Sequence, residues 1–295
     1  MFKFLEDEKK QKMFWGYLFV FPAFLYFLCM NIWPMLYAFF LSFNDWNLLK
    51  VEKKFVFLQN YFEVFQDKVF LTSLYNTFAY AIIIVPLGLM IAIFLSVLVN
   101  SGIKHVGIFR FMFFIPVITS SIAAGYIWMW LYEPTFGLFN DILSIINIQL
   151  PFLKSTYSAK LSIAAVVIWK NLGFQIVILL TGLGAIPNSV YEAAEMDGVT
   201  GWRRFRYITL PLLRPTIIFL SVTGFMKVLQ MFGEIYVMAP TGGPLDSTTS
   251  VVFHIQKTAF ESYRLGYSSA MTFILFLIIL GITIFQIKYL SGEKN

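Results

Sequence analysis

Several apolar runs of about 20 residues dominate this sequence, and they limit its fold more than any motif does. Hydrophobic residues make up 59% of the chain and charged residues 13%, whereas a soluble domain is nearer half apolar and a quarter charged. The charges lie mostly between the runs, so the runs lack the polar face that a helix of a large soluble protein would show. The sequence therefore predicts a polytopic, all-α membrane protein.

Six runs are long enough to cross the hydrocarbon core of a bilayer as helices. The first run is too long for a signal-peptide core and no small-residue cleavage site follows it, so we expect it to be retained. Prolines within or near the runs are expected to kink the helices, because neighbouring helices can satisfy the carbonyls that they free. In chain order the predicted spans are Phe14–Tyr37, Thr77–Val99, Phe109–Leu131, Leu161–Leu183, Thr216–Val237 and Tyr267–Ile287.

The lysines and arginines at the span ends predict the orientation of the chain. They are denser on the side that carries both termini and the segment around Glu192, and the denser side is normally cytoplasmic. The net charge of +6 then follows from topology and requires no nucleic-acid partner. The denser set is Lys3, Lys9, Lys10, Lys12, Lys104, Arg110, Arg203, Arg204, Arg206, Arg214, Lys288 and Lys294. The sparser set is Lys50, Lys53, Lys54, Lys68, Lys154, Lys160, Lys257 and Arg264.

Residue types that carry catalysis or bind metals are scarce. Cys29 stands alone within a predicted span, so the sequence has no disulfide framework and no thiolate metal site. His105 and His254 fall in loops on opposite sides of the predicted membrane, so they cannot form a metal pair or a catalytic dyad. No GxxxxGK[ST] phosphate-binding loop occurs. We therefore expect no catalytic residue, no metal and no cofactor in this chain.

The loops between the spans differ in length and pattern. Three long loops, Ala38–Leu71, Tyr132–Lys160 and Met238–Gly266, are predicted to lie outside and to hold short helices. Gly242-Gly243-Pro244 predicts a turn at the start of the third loop. The short segment Asn100–His105 is interpreted as a plain inside connection. The longest polar segment predicted inside lies between the fourth and fifth spans, and it is the most patterned part of the chain.

The first half of this inside segment has the pattern of a short helix closed by a glycine. Ser189 and Glu192 have the S-x-x-E spacing of a capping box, in which each side chain satisfies a free backbone donor. Gly198 is expected to close the helix in the left-handed conformation. The small residues Ala193 and Ala194 allow a partner to approach closely, and a carboxylate beside them can pair with a partner's arginine. Helix capping and docking both remain open as the role of Glu192.

The second half predicts another short helix. Thr200 is expected to cap it, and Gly201–Tyr207 carries tryptophan, phenylalanine and three arginines. Leu210-Pro211 is expected to end this helix. Pro215 is then expected at a first-turn position of the next span. The segment as a whole is predicted to be a helix–turn–helix that projects from the membrane.

The order and spacing of residues in this segment resemble a known signature. Glu192-Ala193-Ala194, three residues, Gly198, nine residues and then Ile208-x-Leu210-Pro211 match the EAA---G---------I-LP pattern of binding-protein-dependent ABC importer permeases. Phe232–Met238, which leads to a Thr-Gly-Gly-Pro turn, is similar to the sugar-permease branch. The resemblance covers nearly the whole chain, and the wide aromatic loop after the first span looks like that of the maltose-type first permease subunit.

The resemblance implies a fold, a set of partners and a coupling element. The fold would be the all-helical type I importer architecture, and ATP hydrolysis would reside in a separate subunit. The partners would be a sister permease, two copies of an ATP-binding subunit and an external solute-binding protein. Glu195 is a departure that could dock or be solvated. The coupling-helix residues implied at the ATP-binding subunit are Glu192, Ala193, Ala194, Asp197 and Gly198.

Polar residues inside the predicted spans are the second group of candidate site residues. An ionisable group at bilayer depth costs about 2.5–3.5 kcal/mol on insertion scales and usually faces a polar cavity. The three in span five follow an i, i+3, i+7 spacing, which predicts that they share one helical face. The resemblance implies a sugar site near Lys227 and Gln230, and contact of these polar groups with the sister permease remains open as the alternative. The six residues are Lys170, Asn171, Gln175, Lys227, Gln230 and Glu234.

The expected function is that of a permease subunit of an ATP-driven sugar or oligosaccharide importer in a bacterial or archaeal cell membrane. One alternative is the same machine for another solute such as glycerol phosphate, whose anion Lys227 would suit. An ion-coupled secondary transporter is a weaker alternative, because no duplicated half is evident. The predicted division is residues 1–70 with the first span, a permease core at 71–288 that includes the EAA loop 185–215, and a tail at 289–295.

Overall fold

The computed structural model describes residues 8–49, 52–100 and 106–290, with all of their side chains except Val106, Arg110 and Leu290. The predicted inside connection at 101–105 and the end of the predicted tail at 291–295 lie outside the described residues. So do four lysines that entered the orientation prediction, namely Lys3, Lys50, Lys104 and Lys294.

Helices dominate the described residues, which confirms the predicted all-α class. In chain order the α-helices are α1 (Glu8–Phe27), α2 (Trp33–Leu41), α3 (Gln59–Gln66), α4 (Lys68–Asn100), α5 (Val106–Ile118), α6 (Ser121–Leu131), α7 (Leu138–Ser144), α8 (Thr156–Gly184), α9 (Asn188–Met196), α10 (Gly201–Arg204), α11 (Leu210–Leu212), α12 (Arg214–Leu229), α13 (Gly233–Met238), α14 (Val251–Phe260) and α15 (Leu265–Leu290). The remaining elements are two π-helical turns (Leu28–Ile32 and Phe205–Thr209), one 3₁₀ turn (Pro244–Asp246) and the antiparallel strands β1 (Asn44–Asp45) and β2 (Lys54–Phe55).

The helices that could cross a membrane fall into two kinds. Among the described residues, four helices are long and apolar enough by themselves: Glu8–Leu41, Lys68–Asn100, Thr156–Gly184 and Leu265–Tyr289. Two bent pairs pass the same test together: Gly107–Ile118 with Ser121–Leu131, bent by 99°, and Gly201–Leu212 with Arg214–Leu229, bent by 65°. The predicted number of six is reached when each bent pair counts as one span.

The third predicted span contains a break near Pro116, one of the prolines at which a kink was expected. Helix α5 ends at Ile118, and Ser120 is extended, with φ −55° and ψ 139°. Pro116 lies inside α5 and has no backbone N–H to donate, and its ring crowds the carbonyl four residues earlier, so it favours a break nearby. Because of this break, α6 leaves at a large angle and Ser121 begins a new helix within the region predicted as a single span.

The fifth predicted span is broken as well, although the predicted shared face of its polar residues required a continuous helix. Helix α12 ends at Leu229, and Phe232 leaves helical geometry, with φ −139° and ψ −56°. The carbonyl of Met231, which the break frees, accepts a hydrogen bond of 2.6 Å from the buried hydroxyl of Ser250. A broken helix is tolerated inside a membrane protein where such partners satisfy the backbone. The chain resumes as the short helix α13 from Gly233.

The two π-helical turns precede prolines. The backbone N–H of Trp33 bonds to the carbonyl of Leu28, five residues earlier, and Pro34 follows directly. The N–H of Leu210 bonds in the same way to the carbonyl of Phe205, and Pro211 follows. A proline ring clashes with the carbonyl four residues before it. The wider turn moves that carbonyl aside, so each helix continues past its proline.

The described residues divide into two compact units, and the first holds the described residues up to Gln66 together with Ile255–Ile274. Arg264 forms an ion pair of 2.7 Å with Glu63, and that hydrogen-bonded carboxylate raises the pKa of the guanidinium. The ring of Phe39 packs at 4.6 Å from that of Phe273. Within this unit, these contacts hold α2 and α3 against the first part of α15 and the residue before it.

The second unit holds Asp67–His254 and the described residues from Leu275 onward, and it contains both candidate sites. Its core is built mainly from α4, α8, α12 and the two short helices α6 and α13, with Tyr80, Ile163 and Leu229 almost fully buried. Helix α5 crosses α8 at Gly173, where a Cβ atom would lie 1.9 Å from the carbonyl oxygen of Phe113. Only glycine permits that approach, so α5 and α8 are in close contact at this point.

The predicted outside loops contain short helices, as expected: α3, α7 and α14. The glycine turn is confirmed, since Gly242 and Gly243 have φ values of +89° and +72°. The hydroxyl of Thr248 donates a hydrogen bond of 2.7 Å to the carbonyl of Gly242, and the side-chain amide of Asn76 donates one of 2.8 Å to the carbonyl of Asp246. This segment is therefore anchored to α4 through buried polar groups.

Candidate functional site

The inside segment begins with α9, which ends in a hydrogen-bonded glycine closure. Gly198 adopts φ +71°, its N–H bonds 3.0 Å to the carbonyl of Glu195, and the N–H of Val199 bonds 2.8 Å to that of Ala194. This pair of bonds is the Schellman motif, which satisfies carbonyls that the last turn of a helix leaves free. The predicted left-handed role of Gly198 is confirmed.

The capping-box prediction is wrong. Helix α9 begins at Asn188 with Pro187 at the N-cap, so Ser189 and Glu192 lie inside the helix and make no capping hydrogen bond. The extended geometry of Pro187, with φ −60° and ψ 138°, starts the helix instead. Thr200 does occupy the predicted N-cap of the next helix, although its side chain makes no capping bond. Glu192 is therefore not required to cap its own helix.

The second half of the segment is longer than predicted. The predicted stop at Leu210-Pro211 is wrong, because the π-helical turn Phe205–Thr209 accommodates Pro211 and the helix runs on to Leu212. The chain then bends by 65° into α12, which begins at Arg214 with Pro215 in its first turn, as expected. The bent helix gives the segment a continuous connection to a membrane span.

Several side-chain contacts join the halves of the segment. Arg204 forms an ion pair of 2.8 Å with Glu195. The hydroxyl groups of Tyr191 and Thr209 lie 3.4 Å apart. The carboxylate of Glu195 is thus paired with the neighbouring helix while its side chain stays 59% exposed. The side chains stabilise a fixed angle between α9 and the following helix.

The five predicted coupling residues do not share one environment. Glu192, Ala193, Asp197 and Gly198 are exposed, whereas Ala194 is 5% exposed and packs inward. Glu192 forms no ion pair or hydrogen bond through its side chain with any residue that the structure describes. A rigid, glycine-closed helix thus presents a free carboxylate and a small residue to its surroundings, which is what a docking surface requires.

The polar residues of the spans are arranged differently from the prediction. Lys227 lies in the last turn of α12, Gln230 is the residue that follows it, and Glu234 lies in α13, so they do not share one helical face. The i, i+3, i+7 argument fails because the helix ends between them. The break nevertheless leaves all three on the lining of one cavity of about 260 Å³.

Glu234 is paired with a residue of the predicted span four. The Nζ atom of Lys170 lies 3.4 Å from Oε1 of Glu234, and the two side chains are 15% and 10% exposed. Lys170 also donates a hydrogen bond to the hydroxyl of Ser121. The pair connects α8 to the short helices that follow the two span breaks. A buried pair of this kind leaves a costly unpaired charge when one partner is removed.

Lys227 has a different environment from Lys170. Its Nζ atom donates a hydrogen bond of 3.3 Å to Oδ1 of Asn171 and lies 5.2 Å from the centre of the Phe174 ring. No carboxylate among the described residues lies within ion-pair distance of Lys227. The side chain is exposed, so one uncompensated positive charge faces the cavity from this chain.

A second cavity of about 270 Å³ shares Asn171, Lys227 and Val228 with the first. It adds Gln175, whose buried Oε1 atom has no hydrogen-bond partner among the described residues. Buried polar atoms are usually paired, and such an exception marks a site that a partner or solute can complete. The lining combines apolar and aromatic surface with a few polar groups, as small-molecule sites do.

The structure thus unites five of the six predicted pathway residues around the first cavity and the sixth, Gln175, at the second. Sequence analysis missed Ser121 and Phe174. Phe174 lies three residues after Asn171 on the same helix, so helical spacing could have found it. Ser121 carries no local signal, because only the 99° bend places it against Lys170. No group of three metal-ligating side chains occurs in the described residues.

Comparison with known proteins identifies relatives along almost the full length of the chain. The family described as "Binding-protein-dependent transport system inner membrane component" matches residues 105–289. The trehalose/maltose transport system permease protein MalF of Thermococcus litoralis is 34% identical over 277 residues, which cover 92% of each sequence. The probable ABC transporter permease protein YesP of Bacillus subtilis is 34% identical, with 92% of this chain and 89% of that protein covered.

A more distant relative and a solved structure also match the chain. The sn-glycerol-3-phosphate transport system permease protein UgpA of Pectobacterium atrosepticum is 26% identical, with 95% of each sequence covered. A chain in the crystal structure of a bacterial alginate ABC transporter, in complex with alginate pentasaccharide-bound periplasmic protein, superposes with a TM-score of 0.85 over 98% of both chains at 20% identity. That likeness supports the fold. This chain therefore belongs to the family of inner membrane components of binding-protein-dependent ABC transport systems, and it is a multi-pass transport subunit rather than an enzyme.

Proposed function

We propose that this chain is a permease subunit of an ATP-driven importer for a sugar or oligosaccharide. The observation that carries the proposal is the pair of adjoining cavities that share Asn171 and Lys227. They lie beside the middle of α4 and α8 and the end of α12, and ionisable groups at such a depth in a membrane protein usually mark a functional pathway. The Thermococcus litoralis relative, which is named for trehalose and maltose, matches 92% of this chain and supports a saccharide as the solute.

The lining suits neutral hydroxyl groups. A saccharide is recognised by a few directed donors and acceptors against apolar and aromatic surface. Lys227 offers donors, Asn171 and Gln230 offer both donors and acceptors, and the unpaired Oε1 of Gln175 offers an acceptor. Phe174 supplies an aromatic face beside them. Lys170 and Glu234 satisfy each other, so their role is to hold α8 and α13 in place around the cavity.

A second candidate solute is glycerol phosphate or a similar anion. One observation favours it: Lys227 contributes a positive charge that no described carboxylate neutralises. A relative at 26% identity carries the glycerol-3-phosphate name. The same charge can instead pair with a carboxylate of the sister permease, because the side chain is exposed in the isolated chain. The Lys227→Met substitution separates these possibilities.

The proposed coupling element is α9 with its glycine closure. Glu192, Ala193, Asp197 and Gly198 would face an ATP-binding subunit, while Ala194 would pack the helix against its own chain. The contacts between α9 and the next helix would make the two move together, so a displacement of α9 would be transmitted to α12. Since α12 ends beside the cavity, closure of the ATPase dimer would change solute access.

The remaining parts of the proposal concern the assembly. Two ATP-binding subunits, a sister permease and an external solute-binding protein complete the importer. Both termini and the segment around α9 face the cytoplasm of a bacterium or archaeon, and the chain is divided at residues 70 and 288 into an N-terminal part, a permease core and a tail. The lysine and arginine distribution supports this orientation.

The experiment is ATP-driven uptake by the complete complex in proteoliposomes, with its binding protein. Labelled trehalose, maltose and sn-glycerol 3-phosphate are compared in the wild type and in Lys227→Met. If the solute is a neutral saccharide, the variant should lower its uptake by about 5- to 150-fold, because a lost bond of this kind costs about 1–3 kcal/mol. If the solute is glycerol phosphate, only that compound should be taken up, and the variant should abolish its uptake. ATP-dependent uptake of none of these solutes would count against the proposed substrate class.

Purification of the same complexes separates transport from assembly. If Lys227 holds the sister permease, the variant should yield less complex, and the surviving complex should keep the original preference. Normal uptake by a fully assembled Lys227→Met complex would remove this residue from the pathway.

A further inference from the structure

Ser250 makes two hydrogen bonds that join different parts of the second unit. The residue is fully buried and lies directly before α14. Its hydroxyl accepts a hydrogen bond of 3.2 Å from the backbone N–H of Phe253, which is the usual bond of a helix N-cap. The same hydroxyl donates a hydrogen bond of 2.6 Å to the carbonyl of Met231. A serine hydroxyl has one proton to donate and lone pairs to accept, so both bonds form at once.

The start of α14 is held in turn by α4. Oγ1 of Thr77 accepts a hydrogen bond of 3.0 Å from the N–H of Val251, and the side-chain amide of Asn76 donates one of 3.1 Å to the carbonyl of Thr249. Both side chains of α4 are buried. The residues on either side of Ser250 are therefore bonded to a long helix, which gives Ser250 a fixed position.

The carbonyl that Ser250 binds lies in the break of the fifth predicted span. The N–H of Gln230 bonds at 3.2 Å to the carbonyl three residues earlier, and the N–H of Met231 does so at 3.1 Å. The chain then leaves helical geometry at Phe232. Met231 is buried, and a buried carbonyl without a partner is costly. The bond from Ser250 therefore helps to set the path of the chain through the break.

The same stretch of backbone forms part of the first cavity. The residues of the break that line it are consecutive, and Lys227 lines it as well; they are Gln230, Met231, Phe232 and Gly233. The carbonyl in question belongs to the residue next to Gln230, which is one of the proposed solute contacts. A shift of the break would therefore move a proposed solute-binding group relative to the rest of the cavity.

We propose that Ser250 is a positioning residue for the solute: it fixes the carbonyl of Met231 and thereby holds Gln230 where its amide meets the solute. Ser250 does not itself line either cavity. This inference rests on the proposed function, in which the cavities are the solute pathway. It adds that residues at the start of α14, outside the cavities, determine how well the solute is recognised.

The test compares serine variants of the complete complex in proteoliposomes, with a saturating amount of its binding protein. Ser250→Ala removes both bonds and leaves the carbonyl of Met231 unpaired. We expect it to lower the uptake rate per assembled complex about fivefold or more and to change the ratio of trehalose to maltose uptake. Ser250→Thr keeps the hydroxyl and should restore both quantities. Should Ser250→Ala prevent assembly, Ser250→Cys, whose thiol donates only weakly, should show the same change to a smaller extent.

Ser96→Ala is the matched control. Ser96 is also almost fully buried, but its hydroxyl bonds to the carbonyl of Ala92 in its own helix. The substitution therefore removes the same group without separating two elements. Uptake and solute preference of this variant should stay near the wild-type values.

A second readout does not depend on the solute. Gln230→Cys in a Cys29→Ser background carries the only thiol of this chain, and its rate of labelling by a maleimide reports the position of the break. Addition of Ser250→Ala should change that rate severalfold in the assembled complex. Addition of Ser96→Ala should leave it unchanged.

Three results would overturn the proposal. Wild-type uptake, preference and labelling in an assembled Ser250→Ala complex would show that the bond positions nothing. A lower yield of complex, with unchanged rate and preference in what remains, would leave Ser250 a purely structural role. Equal effects of Ser250→Ala and Ser96→Ala would reflect the general cost of a lost buried hydroxyl. Absence of uptake by the wild-type complex counts against the proposed function instead, and the labelling rates then decide whether Ser250 positions the break.

Discussion

The two candidate sites differ in how far apart in the sequence their contacting residues lie. One is the inside segment that contains α9, and the other is the polar cluster around Lys170 and Lys227. In the segment, the contacts that fix the two helices join residues 9 and 18 positions apart. In the cluster, Lys170, Lys227 and their partners are 49, 56 and 64 positions apart. The segment is a local structure, whereas the cluster exists only when several elements have packed. Damage to each should therefore have different consequences.

The largest expected effect is on the cluster. Lys170→Met leaves Glu234 as an uncompensated buried charge, and removal of one partner of such a pair typically costs about 3–5 kcal/mol in free energy of unfolding. Denaturation of the purified chain in mixed micelles measures the change. The matched control is the double substitution Lys170→Met/Glu234→Met, which removes both charges and should restore most of the lost stability. Equal losses in the single and double variants would contradict the ion-pair account.

A smaller effect is expected where the segment depends on one backbone conformation. Gly198→Val places a β-branched residue at φ +71°, which costs about 1–2 kcal/mol and disfavours the closure of α9. Membrane insertion and global stability should change little, while recruitment of the ATP-binding subunit falls. Gly184→Val is the control, because its added side chain meets no neighbouring atom and its φ is not in the left-handed region. Recruitment is measured by co-purification.

Two carboxylates of α9 give a sharper test of the same segment. Glu192→Lys reverses a free, exposed charge and should weaken ATPase recruitment severalfold without loss of stability. Glu195→Gln removes an exposed ion pair, which is worth about 0.2–1 kcal/mol, and should leave recruitment near the wild-type level. If both variants recruit equally, the free carboxylate has no special role in docking.

The smallest expected effect on stability concerns Gln175. Its buried Oε1 atom lacks a partner among the described residues, so Gln175→Leu removes an unpaired group and should change the free energy of unfolding by less than about 1 kcal/mol. Uptake should fall if this oxygen receives a hydroxyl of the solute. Asn76→Leu is the contrast, because that side chain donates to two buried carbonyls and its loss should destabilise the chain. Unchanged uptake by the Gln175 variant would remove it from the pathway.

Sequence analysis succeeded where the determinants are local. The apolar runs give the helical class, and the spacing from Glu192 to Pro211 identifies the segment and the turn at Gly198. It failed on Ser189 and Glu192, because the N-cap is Pro187, two residues before the position that the capping pattern required. Capping patterns do not specify where a neighbouring proline sets the backbone.

The span breaks show the opposite limit. An apolar run of suitable length predicts a span, and a proline within it predicts a kink, but neither predicts the full interruptions at Ser120 and Phe232. The second break is stabilised by the hydroxyl of Ser250, which lies 19 positions from the carbonyl that it satisfies. A partner at that distance in the sequence cannot be predicted from a local pattern. The pairing of Lys170 with Glu234 was missed for the same reason, although both residues were selected for their cost inside a membrane.

One measurement tests the central claim, that α9 couples this permease to a cytoplasmic ATPase. A photo-crosslinking amino acid is placed at Ala193, which is exposed on α9, and at Leu245, which is 90% exposed on the outside-predicted turn. After irradiation of cells, we expect Ala193 to capture the ATP-binding subunit and Leu245 never to capture it. Capture of that subunit from Leu245, or of an external protein from Ala193, would contradict both the orientation and the coupling role.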